Sequence, residues 1–109
     1  MTFTVHAEMP PVREDAAGAL RVANSRVLFE LVVRAFQDGA TPETIVQRYS
    51  TLALSDVYSV IAYYLRHRRE IEAYLTKREQ KAEEVQQRIE RAQTDISEIR
   101  ARLLAQRQA

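Results

Sequence analysis

The chain has 109 residues, a formal net charge of +1 and no cysteine. This length allows one modest hydrophobic core, and the balanced charge gives no overall argument for nucleic-acid binding. Disulfides, thiolate zinc sites and a cysteine nucleophile are excluded, and His6 and His67 have no second ligand at metal-binding spacing, so no metal or cofactor is expected. The sequence shows no signal peptide and no apolar run of about 20 residues, which predicts a cytoplasmic protein.

The first segment, residues 1–17, has no sustained periodicity and is predicted to be a loosely held arm. A short edge strand is predicted at Thr2 to Val5, and the pair Pro10-Pro11 is expected to stop any regular element. From Gly18 onward, two short apolar runs flank Asn24-Ser25. Asparagine favours left-handed turn positions, so this pattern predicts a small β-hairpin around these two residues.

Three helices follow the hairpin. Leu28 to Asp38 has helical spacing, with an inner face of Leu28, Leu31, Val32, Ala35 and Phe36, and Gly39 fits the C-cap. Thr41-Pro42-Glu43 is a strong start signal for a short helix that buries Ile45, Val46 and Tyr49. Ser50 to Leu54 form a connection in which Leu52 and Leu54 are expected to fill the core.

Ser55-Asp56 is predicted to cap the third helix, whose inner face carries Val57, Val60, Ile61, Tyr64 and Leu65. A short helix, a tight connection and a longer helix are the outline of a helix-turn-helix. His67 is a candidate position for a break after this helix, although no glycine or proline forces one there.

A long C-terminal helix is predicted from Arg69 to Gln108, where proline and glycine are missing. Apolar residues alternate at spacings of four and three over more than four heptads, with a polar break at Arg78. The seam offered to an oligomer or a partner consists of Leu75, Ala82, Val85, Ile89, Ala92, Ile96, Ile99 and Leu103. A helix with so narrow a seam needs a partner, and the spacing leaves parallel and antiparallel order open. The alternative is a tail that folds only on binding.

Several motifs of the middle of the chain occur in the order typical of one family. They are Ser25-Arg26, Gly39, Thr41-Pro42-Glu43, Ile45, Tyr49, Leu52, Leu54-Ser55-Asp56-Val57, Tyr63-Tyr64-Leu65 and Arg66-His67-Arg68. This region resembles the large bacterial family of unknown function numbered 433. Asn24 stands where that family prefers glycine, and Ser50 where it usually has proline.

The resemblance implies a mainly α fold: a homeodomain-like three-helix helix-turn-helix core with a small N-terminal β-hairpin and a long C-terminal helix. The predicted organisation is therefore an arm (residues 1–17), a helix-turn-helix domain with its hairpin (18–68) and a coiled-coil-like helix (69–109). The resemblance also implies a VapB-like antitoxin role with a PIN-like nuclease toxin as partner. Such a protein is expected to act as a dimer, and whether it also binds operator DNA stays open.

The expected DNA contacts follow from the homeodomain-type arrangement, in which the recognition helix presents residues at i, i+3, i+4 and i+7. On the third helix this stripe is Ser59, Ala62, Tyr63 and Arg66. The candidate DNA-binding residues are Arg26, Arg48, Ser59, Tyr63, Arg66, Arg68 and Arg69. The stripe has few residues that could read bases, and Asp56 at the helix start would repel phosphate. The sequence therefore supports phosphate contacts through the arginines more than sequence-specific base contacts. The alternative is that these arginines form a solvated face paired with Glu43, Glu70 and Glu72.

No catalytic constellation is evident. The serines have no histidine at motif spacing, and Gly18 and Gly39 do not form a phosphate-binding loop. The sequence predicts a non-enzymatic protein. Its alternative function is an oligomerising protein-interaction module that does not bind DNA.

Overall fold

A computed structural model describes residues 2–107 of the chain. It contains two strands, β1 (Val12–Glu14) and β2 (Leu20–Val22), and four helices: α1 (Phe29–Gln37), α2 (Pro42–Arg48), α3 (Leu54–Arg66) and α4 (Arg68–Arg107). The protein is mainly helical with a small N-terminal hairpin and a long C-terminal helix, as predicted. Met1, Gln108 and Ala109, which the predicted arm and C-terminal helix include, lie outside the described residues.

The chain divides into two units, one ending at Ile71 and one beginning at Glu72. The first unit holds the hairpin, α1, α2, α3 and the first turn of α4, and the second holds the remainder of α4. The segment boundaries proposed from the sequence at residues 17/18 and 68/69 stay predictions. Within residues 2–107, no helix combines the length and the apolar character needed to cross a membrane.

The hairpin pairs β1 and β2 in antiparallel order, with Val12 opposite Val22 and Glu14 opposite Leu20. The predicted turn at Asn24-Ser25 is therefore wrong as the turn of this hairpin. The strands are joined through Asp15 to Ala19 instead, and β1 begins directly after the proline pair that was expected to prevent a strand. A proline has no N–H to donate, but it can precede an edge strand, because the strand's own N–H groups begin after it.

Asn24 and Ser25 form a second turn, which leads from β2 to an isolated bridge between Arg21 and Leu28. The left-handed residue of this turn is Ala23 (φ 49°), not the asparagine that the sequence favours. Ser25 is buried, donates its hydroxyl to the carbonyl of Val22 at 2.6 Å and accepts the N–H of Val27 at 3.1 Å. Arg13 of β1 donates to the carbonyls of Ala23 and Ser25, so these two bonds join β1 to the second turn.

The hairpin's own turn depends on Asp15. One oxygen of its carboxylate accepts the N–H groups of Ala17 and Ala19, both at 2.9 Å, and the other accepts Nε of Arg21 at 3.0 Å. The hydrogen bond from Arg21, followed by that from Ala19, holds the pKa of Asp15 below its ordinary value. One side chain thus satisfies two backbone donors and a cation at once.

The core of the first unit lies where α3 packs against α1 and α2 and where β2 packs against α1. Its fully buried side chains include Val22, Val32, Val33, Ile45, Val57, Val60 and Tyr64. The predicted inner face of α3 is confirmed for Val57, Val60, Ile61 and Tyr64, and Leu52 is buried as predicted. Burial of such side chains contributes about 1.5–3 kcal/mol each.

Three leucines predicted to lie inside are exposed instead: Leu31 (41%), Leu54 (42%) and Leu65 (48%). In their helices, apolar residues occupy more than one face, so spacing alone does not say which face turns inward. On α1 the inward face is rotated towards Phe29 and Val33, which are buried. On α3, Leu54 is the first helical residue, and the N-cap is Ala53 instead of Ser55.

The caps between α1 and α2 match the sequence signals. Gly39 has φ 96°, its N–H bonds to the carbonyl of Phe36, and the N–H of Ala40 bonds to Ala35. These two bonds form a Schellman motif, which needs a left-handed residue at the position of Gly39. Thr41 caps α2 by accepting the N–H of Thr44 at 3.2 Å.

We expect Gly39→Ala to reduce the free energy of unfolding by about 1–2 kcal/mol, because an L-residue resists the left-handed conformation. A Cβ at this position meets no atom within 4 Å, so the loss would come from the backbone and not from a clash. Gly39→Asn is the matched control, since asparagine tolerates this conformation better and should lose less. Urea unfolding followed by circular dichroism measures both, and equal stability of Gly39→Ala and the unchanged protein would contradict the assignment.

Asp15→Asn should destabilise the protein at neutral pH, and the difference should become smaller in acid. The folded-state pKa of Asp15 is lowered, so its carboxylate stabilises the fold above its unfolded pKa, and this stabilisation is lost as pH falls through the folded-state pKa. Thermal melts of both proteins at about pH 7 and about pH 3 provide the comparison. The neighbouring Glu14→Gln, which removes an exposed carboxylate, controls for net charge. A deficit that persists undiminished at low pH would rule out the ionised carboxylate as its cause.

Candidate functional site

The outer face of α3 carries the predicted recognition stripe. Ser59 and Arg66 are exposed, and Tyr63 is half-buried. The ring of Tyr63 stacks on His67, with centroids 4.2 Å apart and planes inclined by 24°. Tyr63 is therefore held on its own helix end, which limits its freedom to stack on a nucleobase.

This stripe lines a groove of about 270 Å³ together with Glu8, Met9 and Pro10 of the N-terminal segment. Ser59, Ala62, Tyr63 and Arg66 form its other wall. The arrangement brings a carboxylate-bearing residue to the face that would meet DNA, in addition to Asp56 in the first turn of the same helix. Anionic groups at this face oppose phosphate, so the groove does not strengthen the case for base contacts.

The end of α3 has a distinct structure. His67 ends the helix with φ −128° and ψ 39°, and α4 begins at the next residue, so a helix break occurs at this position. The backbone N–H of His67 bonds to the carbonyls of Tyr63 and Tyr64, both at 3.1 Å, and its Nδ1 lies 3.0 Å from the carbonyl oxygen of Tyr63. These bonds fix the break without a glycine or proline.

Arginines surround this break. Arg66 and Arg69 are exposed, and the guanidinium of Arg68 lies 5.6 Å from the centroid of the buried Tyr64 ring. Exposed cations grouped at a helix end are suited to phosphate contacts.

The two other predicted arginines lie elsewhere. Arg48 is exposed in the last turn of α2. Arg26 is exposed in the turn before α1, and its carbonyl oxygen accepts a hydrogen bond from Arg21. It lines a different groove, of about 730 Å³, which also includes Leu31, Tyr49 and Asp56. The structure therefore places Arg26 and Arg66 in separate grooves.

This larger groove was missed by sequence reasoning. It runs between the turn Ala23 to Val27 and the connection around Tyr49, Thr51 and Ala53. The sequence feature that could have indicated this groove is that the Ser25-Arg26 and Tyr49 motifs both line it. These motifs are far apart in the sequence, so their proximity becomes visible only in the fold.

The alternative in which the arginines pair with Glu43, Glu70 and Glu72 stays a prediction. Glu43 accepts a hydrogen bond from the hydroxyl of Tyr58, which joins α2 to α3. This bond lowers the pKa of Glu43 and raises the pKa of Tyr58. Among the described residues, no cluster of three or more histidine, aspartate or glutamate side chains is placed to hold a metal ion.

The seam of α4 presents a long row of exposed apolar side chains. Val85, Ile89, Ile96, Ile99 and Leu103 are 45–61% exposed, and Ala82 and Ala92 are also exposed. Leu75 differs, since it is 3% exposed. The exposed seam thus begins after Leu75 and consists of the seven other predicted positions.

The fold and its motifs define a helix-turn-helix unit preceded by a hairpin. Residues 14–64 match the model of the family described as protein of unknown function DUF433, so this segment of the chain contains the domain of that family. The matched segment runs from the last residue of β1 into α3, so α4 lies outside it. No curated protein and no solved structure matches the chain.

A triple variant, Arg66→Gln, Arg68→Gln and Arg69→Gln, tests phosphate binding at the helix break. If each arginine contacts one phosphate, the slope of log affinity against log salt for duplex DNA should become shallower by about 3, at about 0.9 per contact. A variant with Arg91, Arg102 and Arg107 changed to glutamine is the charge-matched control and should keep a steeper slope. Fluorescence anisotropy at several salt concentrations measures both slopes, and identical slopes would reject a localised DNA surface.

Proposed function

We propose that the protein is a cytoplasmic antitoxin of a two-component toxin–antitoxin pair, which binds a PIN-like nuclease toxin as a dimer. The observation that carries this proposal is the exposed apolar seam of α4 between Ala82 and Leu103. The class of toxin is inferred from the resemblance to VapB-like antitoxins, because the matched family itself has no assigned function.

The seam supports a binding role for a physical reason. An isolated helix is marginally stable in water, and helices in proteins owe most of their stability to burial of an apolar face. In α4 that face is continuous at heptad spacing and exposed, while the opposite face is polar. Covering it with another protein surface would contribute about 1.5–3 kcal/mol for each large side chain that becomes fully buried.

Operator DNA is the second partner that we propose. Support comes from the exposed arginines at the helix break, Arg66, Arg68 and Arg69. Ser59 and Arg66 are the accessible polar residues of the α3 stripe, and Glu8 and Asp56 lie near the same face. This composition supports phosphate contacts more than base discrimination, so the expected binding is strongly salt-dependent.

An oligomerising interaction module without DNA binding is the alternative. It is supported by the same seam and needs none of the arginines. The anisotropy measurement described above separates the two functions, since the alternative predicts no affinity for duplex DNA at low salt.

Ile96→Asp tests the role of α4 in toxin binding. Placing a carboxylate in the seam should reduce recovery of a co-expressed PIN-like nuclease at least about tenfold and abolish protection of growth, because the charge opposes burial of the seam in the dimer that binds the toxin. Gln87→Asp, which places the same charge on the opposite, polar face, is the matched control. This variant should retain both nuclease recovery and protection of growth. The assay uses co-expression with the PIN-like nuclease that the proposal predicts to be encoded beside this protein, followed by affinity purification. If the unchanged protein neither co-purifies with the nuclease nor relieves its toxicity, the antitoxin role is rejected.

A further inference from the structure

The small residues of the α4 seam carry information about the orientation of a partner helix. Taking Leu75 as heptad position a, the a positions of the exposed seam include Ala82, Ile89 and Ile96, and the d positions include Val85, Ala92 and Ile99. Alanine and isoleucine differ greatly in volume, and helix interfaces, like protein cores, are close-packed. A second copy must therefore place large side chains opposite small ones.

A parallel, in-register pair does not place large side chains opposite small ones. In that arrangement each a residue faces its own copy, and so does each d residue. Ala82 would face Ala82 and Ala92 would face Ala92, which leaves two under-filled layers in the middle of the seam. Arg78, also at a d position, would face a second guanidinium.

An antiparallel pair places large side chains opposite small ones in one alignment, because a positions then face d positions. With Ala82 opposite Ile99 of the second copy, Ile89 falls opposite Ala92 and Ile96 falls opposite Val85. Each alanine thus meets an isoleucine, and the third layer joins two branched side chains. All three layers follow from a single choice of register.

The flanking charges favour the same alignment. In an antiparallel pair, g positions face g positions and e positions face e positions, and such pairs set partner orientation. Arg88 then lies opposite Asp95, and Glu79 lies opposite Arg100. The two-fold symmetry of the pair repeats each contact. Two unfavourable contacts remain: Lys81 faces Arg102, and Arg78 at a d position faces Leu103.

Shifting the antiparallel pair by one heptad is unfavourable in either direction. One shift places Asp95 opposite Asp95 and Arg88 opposite Arg102. The other places Ala82 opposite Ala92 and Arg88 opposite itself. The sequence of the seam therefore distinguishes the proposed register from one neighbour by charge and from the other by both volume and charge.

We propose that α4 pairs with a second copy of this chain as an antiparallel coiled coil, with its two-fold axis between Glu90 and Arg91. This proposal rests on the dimeric state of the proposed function and gives that dimer its geometry. Its tests use the purified protein without a nuclease, so failure of the antitoxin role and failure of the antiparallel pair are distinguishable.

Disulfide trapping tests the alignment directly, because the chain has no cysteine of its own. Two full-length proteins, Ala82→Cys and Ile99→Cys, are made with tags of different size, mixed under conditions that allow exchange, and oxidised. The antiparallel pair predicts a strong cross-link between the two proteins and little cross-linking of either with itself. In that pair the two copies of residue 82 are about 25 Å apart along the helix axis, whereas a disulfide requires Cα atoms within about 7 Å.

Two outcomes would overturn the proposal. Cross-linking of Ala82→Cys with itself and of Ile99→Cys with itself, without the mixed product, would establish a parallel pair. A single monomeric species of the unchanged protein in sedimentation equilibrium at high concentration would exclude self-association through the seam.

A charge exchange provides a second test that adds no cysteine to the seam. Asp95→Arg should weaken dimerisation about tenfold, because two attractive contacts with Arg88 become repulsive. Adding Arg88→Asp should restore the dissociation constant close to that of the unchanged protein. In a parallel pair Asp95 would face Arg100 instead, so rescue by Arg100→Asp and not by Arg88→Asp would overturn the antiparallel alignment. Sedimentation equilibrium measures each dissociation constant.

Discussion

Tyr64 is the side chain on which the folded unit is centred. Its ring is buried, meets Phe36 edge-on with centroids 6.2 Å apart, and has its hydroxyl hydrogen-bonded to the amide of Gln37 at 3.1 Å. Arg68 lies over the same ring. Because the residue sits near the end of α3, one side chain links the α1–α3 interface to the helix break and its arginines. The candidate phosphate-binding cations are therefore positioned by the core and not by a free loop.

The helix caps could be predicted because each depends on residues that are close to it in the sequence. Gly39 and Thr41 act through bonds to residues a few positions away, and both caps appear at the expected places. The inner face of α3 could also be predicted, since four apolar residues share it. These features depend on residues close together in the sequence, so the sequence pattern is enough to predict them.

Other features depend on contacts across the chain and were misplaced. The hairpin turn lies at Asp15 because its carboxylate accepts hydrogen bonds from Ala17, Ala19 and Arg21. Hydrophobic periodicity in the sequence does not indicate such a cluster. Leu31 and Leu65 are exposed because the choice between two apolar faces is made by the neighbouring helices. For the candidate site, the α3 stripe lines one groove, but the residues opposite it, Glu8 to Pro10, come from a segment without recognisable pattern.

The groove that these residues share with α3 has a consequence for any ligand of the recognition stripe. Residues Glu8 to Pro10 of the arm line the groove beside Ser59 and Arg66, so the arm would compete with a duplex for the space in front of them. The measured affinity would then be the intrinsic affinity reduced by the fraction of molecules in which the arm is displaced. Phe3, Val5 and Met9 are almost fully exposed, so little apolar burial opposes that displacement. An affinity tag or a fusion partner joined ahead of the arm would shift this internal competition, and reported affinities would depend on what precedes the first residue.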